Sequence, residues 1–326
     1  MQNIIKFLPI YKEKIWGGRK LHTHLSRNLP EGKIGESWEI SDYGDDISII
    51  CNGELQGMNF REAYLKYPKE ILGENISLKK GFPLLVKIID ASENLSIQVH
   101  PDDEYTLKYD KKNSGKKEAW YILQTDKDSS IICGFSVDTT KTDYQKLVKE
   151  NKAENILQKL YPKNGSSYLI NPGTIHGIGG GNLILEIQQS SDSTYRVYDY
   201  GRLDNGKPRE LHLDKALDVL NFSKSNGLEN LTPVKIDEDR SLLTENDKFR
   251  LELFETEKKK EVPAISLKDI FQILHVVEGE LEIDSISFKK GDTFLITAKG
   301  MRQNIFLSPK EKLKLVIACS KEYSSD

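Results

Sequence analysis

Short runs of β-branched and aromatic residues, divided by Gly, Asn, Asp and Pro, most constrain the fold of this chain. Such runs are typical of β-strands joined by turns. The clearest ones cover residues 37–40, 47–51, 84–89, 95–100, 119–123, 131–133, 167–170 and 183–188. Helical periodicity is confined to residues 60–65, 143–160 and 214–220. The pattern predicts a mainly β protein with a few accessory helices.

Chain length and a change in composition predict two domains. At 326 residues the chain exceeds what one hydrophobic core usually serves. Between residues 221 and about 239 the sequence becomes polar and rich in turn-forming residues, which is typical of a linker. Short strands joined by glycine turns then resume, as in a small antiparallel barrel or jelly roll. We therefore predict one domain over residues 1–235 and a related barrel over residues 236–326.

Charge and hydropathy exclude several classes of function. The 47 Lys and Arg residues nearly balance the 50 Asp and Glu residues, so nothing indicates a surface for nucleic acid or anionic membrane. No apolar stretch approaches the roughly 20 residues that cross a bilayer, and no secretory cleavage site follows the N-terminus. Cys51, Cys133 and Cys319 are too dispersed for a disulfide framework. We expect a cytoplasmic protein, and the sequence does not predict its oligomeric state.

Polar and aliphatic residues alternate along the strand predicted at residues 95–100. Because side-chain direction has a period of two in a strand, Ser96, Gln98 and His100 share one face. A polar row on a buried face must be satisfied by hydrogen bonds, a metal or a polar ligand. The sequence therefore predicts a binding site on this face.

Further residues with metal-ligating side chains lie downstream. Glu118 precedes a strand-like run, and His176 follows a Pro-Gly turn. Together with His100 they form a set that suits zinc or another divalent transition ion, with Gln98 as a weaker fourth ligand. A single strand His is, however, more often a packed side chain, and Glu118 beside two lysines can be a solvated charge cluster. Both interpretations remain open on spacing alone.

Two residues are candidates for a general base. Lys87 interrupts the aliphatic run at residues 84–89, where a lysine is either held in a cleft as a base or serves as an edge-strand charge. Glu186 is the alternative base, or else a buried polar residue paired with Arg196. The residues favour Lys87 only slightly.

Several segments resemble the type I mannose-6-phosphate isomerases. They are WGG at 16–18, GESWE at 35–39, SIQVHPDD at 96–103, GKKEAWY at 115–121, PGTIH at 172–176 and LEIQQSSDSTYRVYDYGR at 185–202. The segments occur in order, and the resemblance covers about residues 10–220. The C-terminal third resembles the family only in its cadence of short strands.

The resemblance implies a tandem of cupin (jelly-roll) barrels that binds one zinc ion per chain. It also implies aldose–ketose isomerisation of a small sugar phosphate, between mannose 6-phosphate and fructose 6-phosphate, through an enediol. The family's zinc ligands fall on Gln98, His100, Glu118 and His176. Its phosphate- and sugar-contacting residues fall on Ser96, Lys116 and Arg196. The residues expected in catalysis are Arg196, Lys87 and Glu186.

The chain also departs from the larger members of that family. They carry a sizeable helical domain, for which this chain has room only near residues 143–160, so it resembles the short bacterial form. No second His accompanies His275 in the C-terminal segment, so we expect that barrel to lack a metal. The alternative functions are a metal-dependent cupin enzyme of another class, such as an iron-dependent oxygenase, and a non-catalytic sugar-phosphate-binding cupin.

Overall fold

The computed structural model describes residues 1–74, 76–78, 81–150, 152–227, 230–265 and 270–322, and it confirms a mainly β protein. The strands are β1 Ile4–Leu8, β2 Ile10–Gly18, β3 Ile34–Ile40, β4 Asp42–Tyr43, β5 Asp46–Ile47, β6 Ile49–Ile50, β7 Leu84–Ala91, β8 Ile97–Val99, β9 Glu118–Thr125, β10 Ile131–Phe135, β11 Leu157–Leu160, β12 Ser167–Ile170, β13 His176–Ile178, β14 Asn182–Gln189, β15 Tyr195–Tyr198, β16 Leu203–Asp204, β17 Lys207–Pro208, β18 Asn230–Leu231, β19 Val234–Lys235, β20 Arg240–Glu245, β21 Phe249–Thr256, β22 Lys260–Glu261, β23 Gln272–Glu278, β24 Glu280–Ile283, β25 Ile286–Lys289, β26 Thr293–Ile296, β27 Phe306–Pro309 and β28 Leu313–Ser320.

The helices are few and short. They are α1 Lys20–Thr23, α2 Phe60–Lys66, α3 Pro68–Ile71, α4 Asp103–Tyr109, α5 Lys141–Lys149, α6 Leu213–Val219 and α7 Ala298–Met301, with 3-10 turns at Gly53–Leu55 and Ala153–Ile156. None of the helices in the described part of the chain has the length and apolar character that a membrane span requires.

The chain forms two compact units, which differ from the contiguous division expected at residue 235. The first unit contains Met1–Ile10, Trp38–Lys87 and Thr232–Asp326, and the second contains Tyr11–Ser37 and Ile88–Leu231. The chain passes into the first unit for the last time between Leu231 and Thr232, within the stretch predicted as a linker. The assignment of a metal-binding role to residues 1–235 alone stays a prediction.

Strand pairing explains why N-terminal residues belong to the first unit. Its eight-stranded sheet has the order β19-β20-β21-β28-β23-β26-β1-β6, and a four-stranded sheet has the order β22-β27-β24-β25. Ile4 of β1 pairs with Ile296 of β26, although 291 residues lie between them. Ile4 and Ile5 are both buried, so this strand contributes to the core of a sheet built mostly from the C-terminal third.

Aromatic side chains fill the core of the first unit beside α2. Asn59 caps the helix by accepting a hydrogen bond from the Glu62 backbone N–H at 2.8 Å. The Phe60 ring lies 4.9 Å from that of Phe7 and 4.8 Å from that of Phe82, centre to centre. Truncating such a fully buried Phe to Ala costs about 3–5 kcal/mol in the free energy of unfolding.

Two sheets make up most of the second unit. The larger has the order β18-β12-β9-β14-β7-β2-β3, and the smaller has the order β11-β10-β13-β8-β15. Every residue of β14 is buried, and so are the first six residues of β9, which means that both faces of these strands are covered. Polar residues on them are therefore buried as well and need partners.

The helix predicted over residues 143–160 is wrong in its second half. Helix α5 ends at Lys149, and residues 157–160 form β11, in which Leu160 pairs with Ile131 of β10. Leu157 is buried at the other end of this pairing, opposite Phe135. Pairing with a distant strand overrides the local helical periodicity. The predicted helices at residues 60–65 and 214–220 correspond to α2 and α6.

Candidate metal centre

The polar row predicted on one strand lies in and beside β8, which lies between β13 and β15 in the smaller sheet. Gln98 pairs directly with His176 of β13 on one side and with Arg196 of β15 on the other. Directly opposed residues in an antiparallel ladder point to the same face. The register therefore brings Gln98, His176 and Arg196 to one face, which the sequence pattern could not specify.

Two further residues, His176 and Glu118, lie at the first positions of their strands. His176 begins β13 after the turn at residues 171–174, in which Gly173 adopts a positive φ of 83°. The Gly173 backbone N–H donates to the carbonyl of His100 at 2.9 Å, so the turn is bonded to the end of β8. Glu118 begins β9 and pairs with Gln188 of β14.

Three buried side chains converge at this point. One ligand atom each from His100, Glu118 and His176 lies within 4.8 Å of the others. Nε2 of His100 is 3.2 Å from Oε1 of Glu118, and Nε2 of His176 is 3.8 Å from Oε2. All three side chains are 1% exposed. The cluster is thus a buried site and not a solvated charge cluster.

Hydrogen bonds behind the imidazoles fix which nitrogen can bind a ligand. Nδ1 of His100 lies 2.8 Å from the Ser193 carbonyl, and Nδ1 of His176 lies 2.9 Å from the Thr174 carbonyl. Since a carbonyl only accepts, each Nδ1 carries the proton and each Nε2 keeps its lone pair. Both lone pairs therefore face the side where Glu118 lies, as in many metal sites.

The protonation states follow from burial and charge. Burial, with the positive charge of Lys116, lowers the pKa of His100 to about 3, and burial lowers the pKa of His176. Burial alone would raise the pKa of Glu118, but Lys116 and His100 outweigh it and hold that pKa well below its usual range. The site presents two neutral nitrogens and one carboxylate at neutral pH.

Lys116 lies within the cluster itself. Its Nζ is 2.5 Å from Oε1 of Glu118 and 3.2 Å from Nε2 of His100, and its side chain is 4% exposed. Burial would lower the pKa of Lys116, but the charges of Glu118, Glu186 and Asp192 raise it. Lys116 is therefore a buried ammonium.

The oxygens of Glu118 show whether the donor set fits a divalent ion. Within the described residues, neither oxygen accepts a hydrogen bond of good geometry, although the Lys116 ammonium lies against one of them. Buried carboxylate oxygens normally have such partners or bind a metal. Two neutral imidazoles and one carboxylate suit zinc or another divalent transition ion with a coordination position left open. The residues present therefore fit such an ion.

Gln98 and Ser96 adjoin the same cluster. The Gln98 amide nitrogen lies 3.3 Å from Nε2 of His176 and 3.5 Å from Nε2 of His100. The hydroxyl of Ser96 donates to the Gln98 amide oxygen at 3.3 Å. The side chains that share one strand face in the sequence thus reach one site.

Arg196 lies on the same face, with its guanidinium turned toward a loop. Its Nη1 donates to the Glu210 carbonyl at 2.7 Å, and its buried Nε has no hydrogen-bond partner among the described residues. Burial lowers the pKa of Arg196, and the positive charges of Arg209 and Arg202 lower it further. Arg196 is thus held beside other cations.

The two candidate bases have different surroundings. Lys87 lies in β7, 3% exposed, with its Nζ 4.7 Å from the centre of the Trp38 ring. Glu186 is buried in β14 and accepts a hydrogen bond from Nε1 of Trp120 at 2.9 Å. Trp120 is thus one partner of this carboxylate, and the pairing with Arg196 considered from the sequence stays a prediction.

Sequence reasoning missed several residues that support the site. The Ser193 and Thr174 carbonyls are backbone groups, and no sequence signal marks them. Asp103 and Gln189 contact the chain beside Lys116 through hydrogen bonds that depend on tertiary structure. A buried Asp199 accepts hydrogen bonds from Arg202 and Arg209, and no pattern in the sequence indicates this pairing.

Comparisons with known proteins relate this chain to one family of isomerases. The profile of the phosphomannose isomerase type I catalytic domain matches residues 4–155. The chain is 35% identical to the mannose-6-phosphate isomerase ManA of Bacillus subtilis, over 89% of this chain and 91% of that protein. It is 39% identical to the probable mannose-6-phosphate isomerase GmuF of the same organism, over 65% of this chain and 66% of that protein.

A solved structure agrees over the whole chain. The crystal structure of the mannose 6-phosphate isomerase from Bacillus subtilis superposes with a TM-score of 0.87 at 32% identity, covering 98% of this chain and 100% of that one. A second solved structure, of a protein from Archaeoglobus fulgidus, has a TM-score of 0.79 at 22% identity and shares the cupin fold. By its sequence and its fold, this chain belongs to the type I phosphomannose isomerase family.

Proposed function

We propose that the protein is a zinc-dependent aldose–ketose isomerase that interconverts mannose 6-phosphate and fructose 6-phosphate through an enediol. One observation carries the proposal: two buried imidazoles, each bonded to a carbonyl through Nδ1, turn Nε2 toward a buried carboxylate. The names of the relatives ManA and GmuF support the same activity and favour it over an oxygenase.

We assign His100, Glu118 and His176 as the ligands of one zinc ion per chain, with Gln98 as a fourth. The Gln98 amide oxygen would face the site after a half-turn of the amide group, which exchanges atoms of nearly equal size. When bound, the ion would polarise the oxygens on C1 and C2 of the sugar and stabilise the charge that develops on them. A neutral amide in place of a second carboxylate preserves more of the positive charge for that purpose.

Substrate phosphate is assigned to Ser96, Lys116 and Arg196. The buried Nε of Arg196 supports this assignment, because it has no hydrogen-bond partner among the described residues and a phosphate oxygen could accept from it. Arg196 is also a candidate for direct catalysis, since a guanidinium beside C1 or C2 can stabilise developing oxygen charge.

Proton transfer between C2 and C1 requires a base, and Lys87 and Glu186 are the candidates. The Trp120 hydrogen bond holds the Glu186 carboxylate in one orientation, and the Lys87 side chain is buried away from bulk water. We retain the slight preference for Lys87. The second group would then orient the base or relay the proton.

Metal dependence tests the proposal directly. Purified protein should contain about one divalent ion per chain. Prolonged chelation should abolish conversion of mannose 6-phosphate in a coupled assay, and zinc should restore it. Full activity in protein shown to be metal-free would contradict the zinc assignment, whereas binding without turnover would indicate a sugar-phosphate-binding cupin.

A pair of substitutions separates the two bases. If Lys87 is the base, Lys87→Met should keep zinc and substrate binding but lose exchange of the C2 proton with solvent, at a cost of roughly 10²- to 10⁴-fold in rate. Glu186→Gln is the matched control, since it removes only the basic carboxylate. If exchange of the C2 proton persists in Lys87→Met and is lost in Glu186→Gln, the base is the Glu186 carboxylate.

A further inference from the structure

Side chains from two distant parts of the second unit hold the segment that carries Lys116. We call residues 115–117 the lysine segment. The Gly115 backbone N–H donates to Oδ1 of Asp103 at 2.9 Å, and the Lys117 N–H donates to Oε1 of Gln189 at 3.0 Å. The Gln189 N–H returns a hydrogen bond to the Lys117 carbonyl at 3.1 Å. Both chain neighbours of Lys116 are thereby fixed.

Asp103 and Gln189 also bind each other. Nε2 of Gln189 donates to the Asp103 carboxylate, 3.2 Å from Oδ2 and 3.4 Å from Oδ1. The orientation of this amide is forced, because a carboxylate only accepts and a backbone N–H only donates. Gln189 is 3% exposed, so the hydrogen bonds of its side chain lie away from water.

The segment has no room to relax toward α4. A Cβ added at Gly115 would stand 2.5 Å from the backbone nitrogen of Asp103, which is closer than real side chains approach. The Lys116 N–H itself donates to the Pro101 carbonyl at 3.0 Å. The backbone at Lys116 therefore has one position, from which its long side chain reaches Glu118 and His100.

We propose that Asp103 and Gln189 are positioning residues that hold the Lys116 ammonium at the position where it contacts the substrate. This inference rests on the proposed function, in which Lys116 contacts the sugar phosphate. A lysine side chain has four rotatable bonds, so small displacements of its backbone move the ammonium by more than a hydrogen bond tolerates. Neither Asp103 nor Gln189 belongs to the proposed ligand set, and both act through Lys116.

A reciprocal exchange of the two side chains tests this pair. In Gln189→Glu a second carboxylate faces that of Asp103, so neither side chain can donate. In Asp103→Asn two amide nitrogens face each other, so neither can accept. Each single variant therefore loses the contact between positions 103 and 189. When both substitutions are combined, the amide at position 103 can donate to the carboxylate at position 189, and both side chains still accept from the lysine segment. Each single substitution should lower kcat/KM about tenfold, mainly through KM, with zinc content unchanged.

The double variant should return to within about threefold of wild-type kcat/KM. Gln124→Glu is the matched control, because Gln124 donates to Asp126 at 2.8 Å in an exposed pair of the same chemistry. It should leave KM unchanged. A double variant no better than the worse single variant would overturn the inference.

Amide hydrogen exchange supplies a readout that does not depend on turnover. Exchange across residues 112–120 should accelerate in each single variant, return toward wild type in the double variant, and be unaffected by Gln124→Glu. Unchanged exchange in the single variants would overturn the inference even if activity falls. A wild-type protein without isomerase activity would instead refute the proposed function, and the exchange measurements would still decide whether the pair holds the segment.

Discussion

The buried ion pair of Lys116 and Glu118 makes a quantitative prediction for the metal-free protein. Their charged atoms are 2.5 Å apart, and both side chains are at most 4% exposed. At an effective dielectric constant of about 20, this attraction amounts to roughly 6–7 kcal/mol. Much of it offsets the cost of taking both charges out of water, so the net effect of the pair is smaller.

Glu118→Gln removes one charge without changing shape and leaves the ammonium buried. Breaking a buried pair in this way costs about 3–5 kcal/mol. Because Glu186 and Asp192 still act favourably on the Lys116 charge, we expect the lower end, about 3 kcal/mol. The free energy of unfolding should be measured in chelator by urea denaturation, since guanidinium chloride would screen the charges.

The control removes both charges together. Lys116→Met with Glu118→Gln should be more stable than Glu118→Gln alone, because the unpaired ammonium at position 116 is then gone, while Glu186 keeps its hydrogen bond from Trp120. A Glu118→Gln protein within about 0.5 kcal/mol of wild type, or a double variant less stable than the single, would refute this account of the site.

Other contacts give three further predictions. Arg196→Ala should cost about 2–4 kcal/mol in kcat/KM with zinc retained, and loss of the metal or of the fold would instead make Arg196 structural. Trp120→Phe removes a hydrogen bond to the buried Glu186 carboxylate and should cost about 1–2 kcal/mol in the free energy of unfolding, which an unchanged urea midpoint would contradict. Burial alone would raise the pKa of Asp199, but the hydrogen bonds from Arg209 and Arg202 outweigh this effect, so the pKa lies below its usual value. The stability it contributes is therefore complete above its unfolded pKa of about 4 and lost as the pH falls through the lower native pKa, so Asp199→Asn should destabilise the protein at pH 7, and this effect should shrink as the pH is lowered below the native pKa.

Much of the site could be predicted because its chemistry is encoded locally. Strand alternation placed Ser96, Gln98 and His100 on one face, and ligand type singled out Glu118 and His176, which the structure brings within 4.8 Å of His100. The resemblance supplied what spacing could not, namely that these residues act together. Their roles as zinc ligands stay predictions until a metal is measured.

What could not be predicted depends on strand register and on backbone groups. The pairing of Gln98 with both His176 and Arg196 joins residues about 80 to 100 positions apart, and no local pattern specifies it. The same limit explains β11, where pairing with β10 replaced a helix that periodicity favoured. The backbone carbonyls of Ser193 and Thr174, which bind the two imidazoles, cannot be predicted from residue type.

The pairing of β1 with β26 also constrains how the protein can be made. During synthesis, residues 1–10 and 38–87 leave the ribosome long before the strands that complete their sheet. Most of the second unit, by contrast, comes from the continuous stretch Ile88–Leu231 and can begin to fold earlier. Until residue 296 emerges, the apolar strand at Ile4–Leu8 lacks one of its partners, and it is then exposed to misfolding or to chaperone capture. A gene shortened after residue 235 would leave that strand permanently in this state.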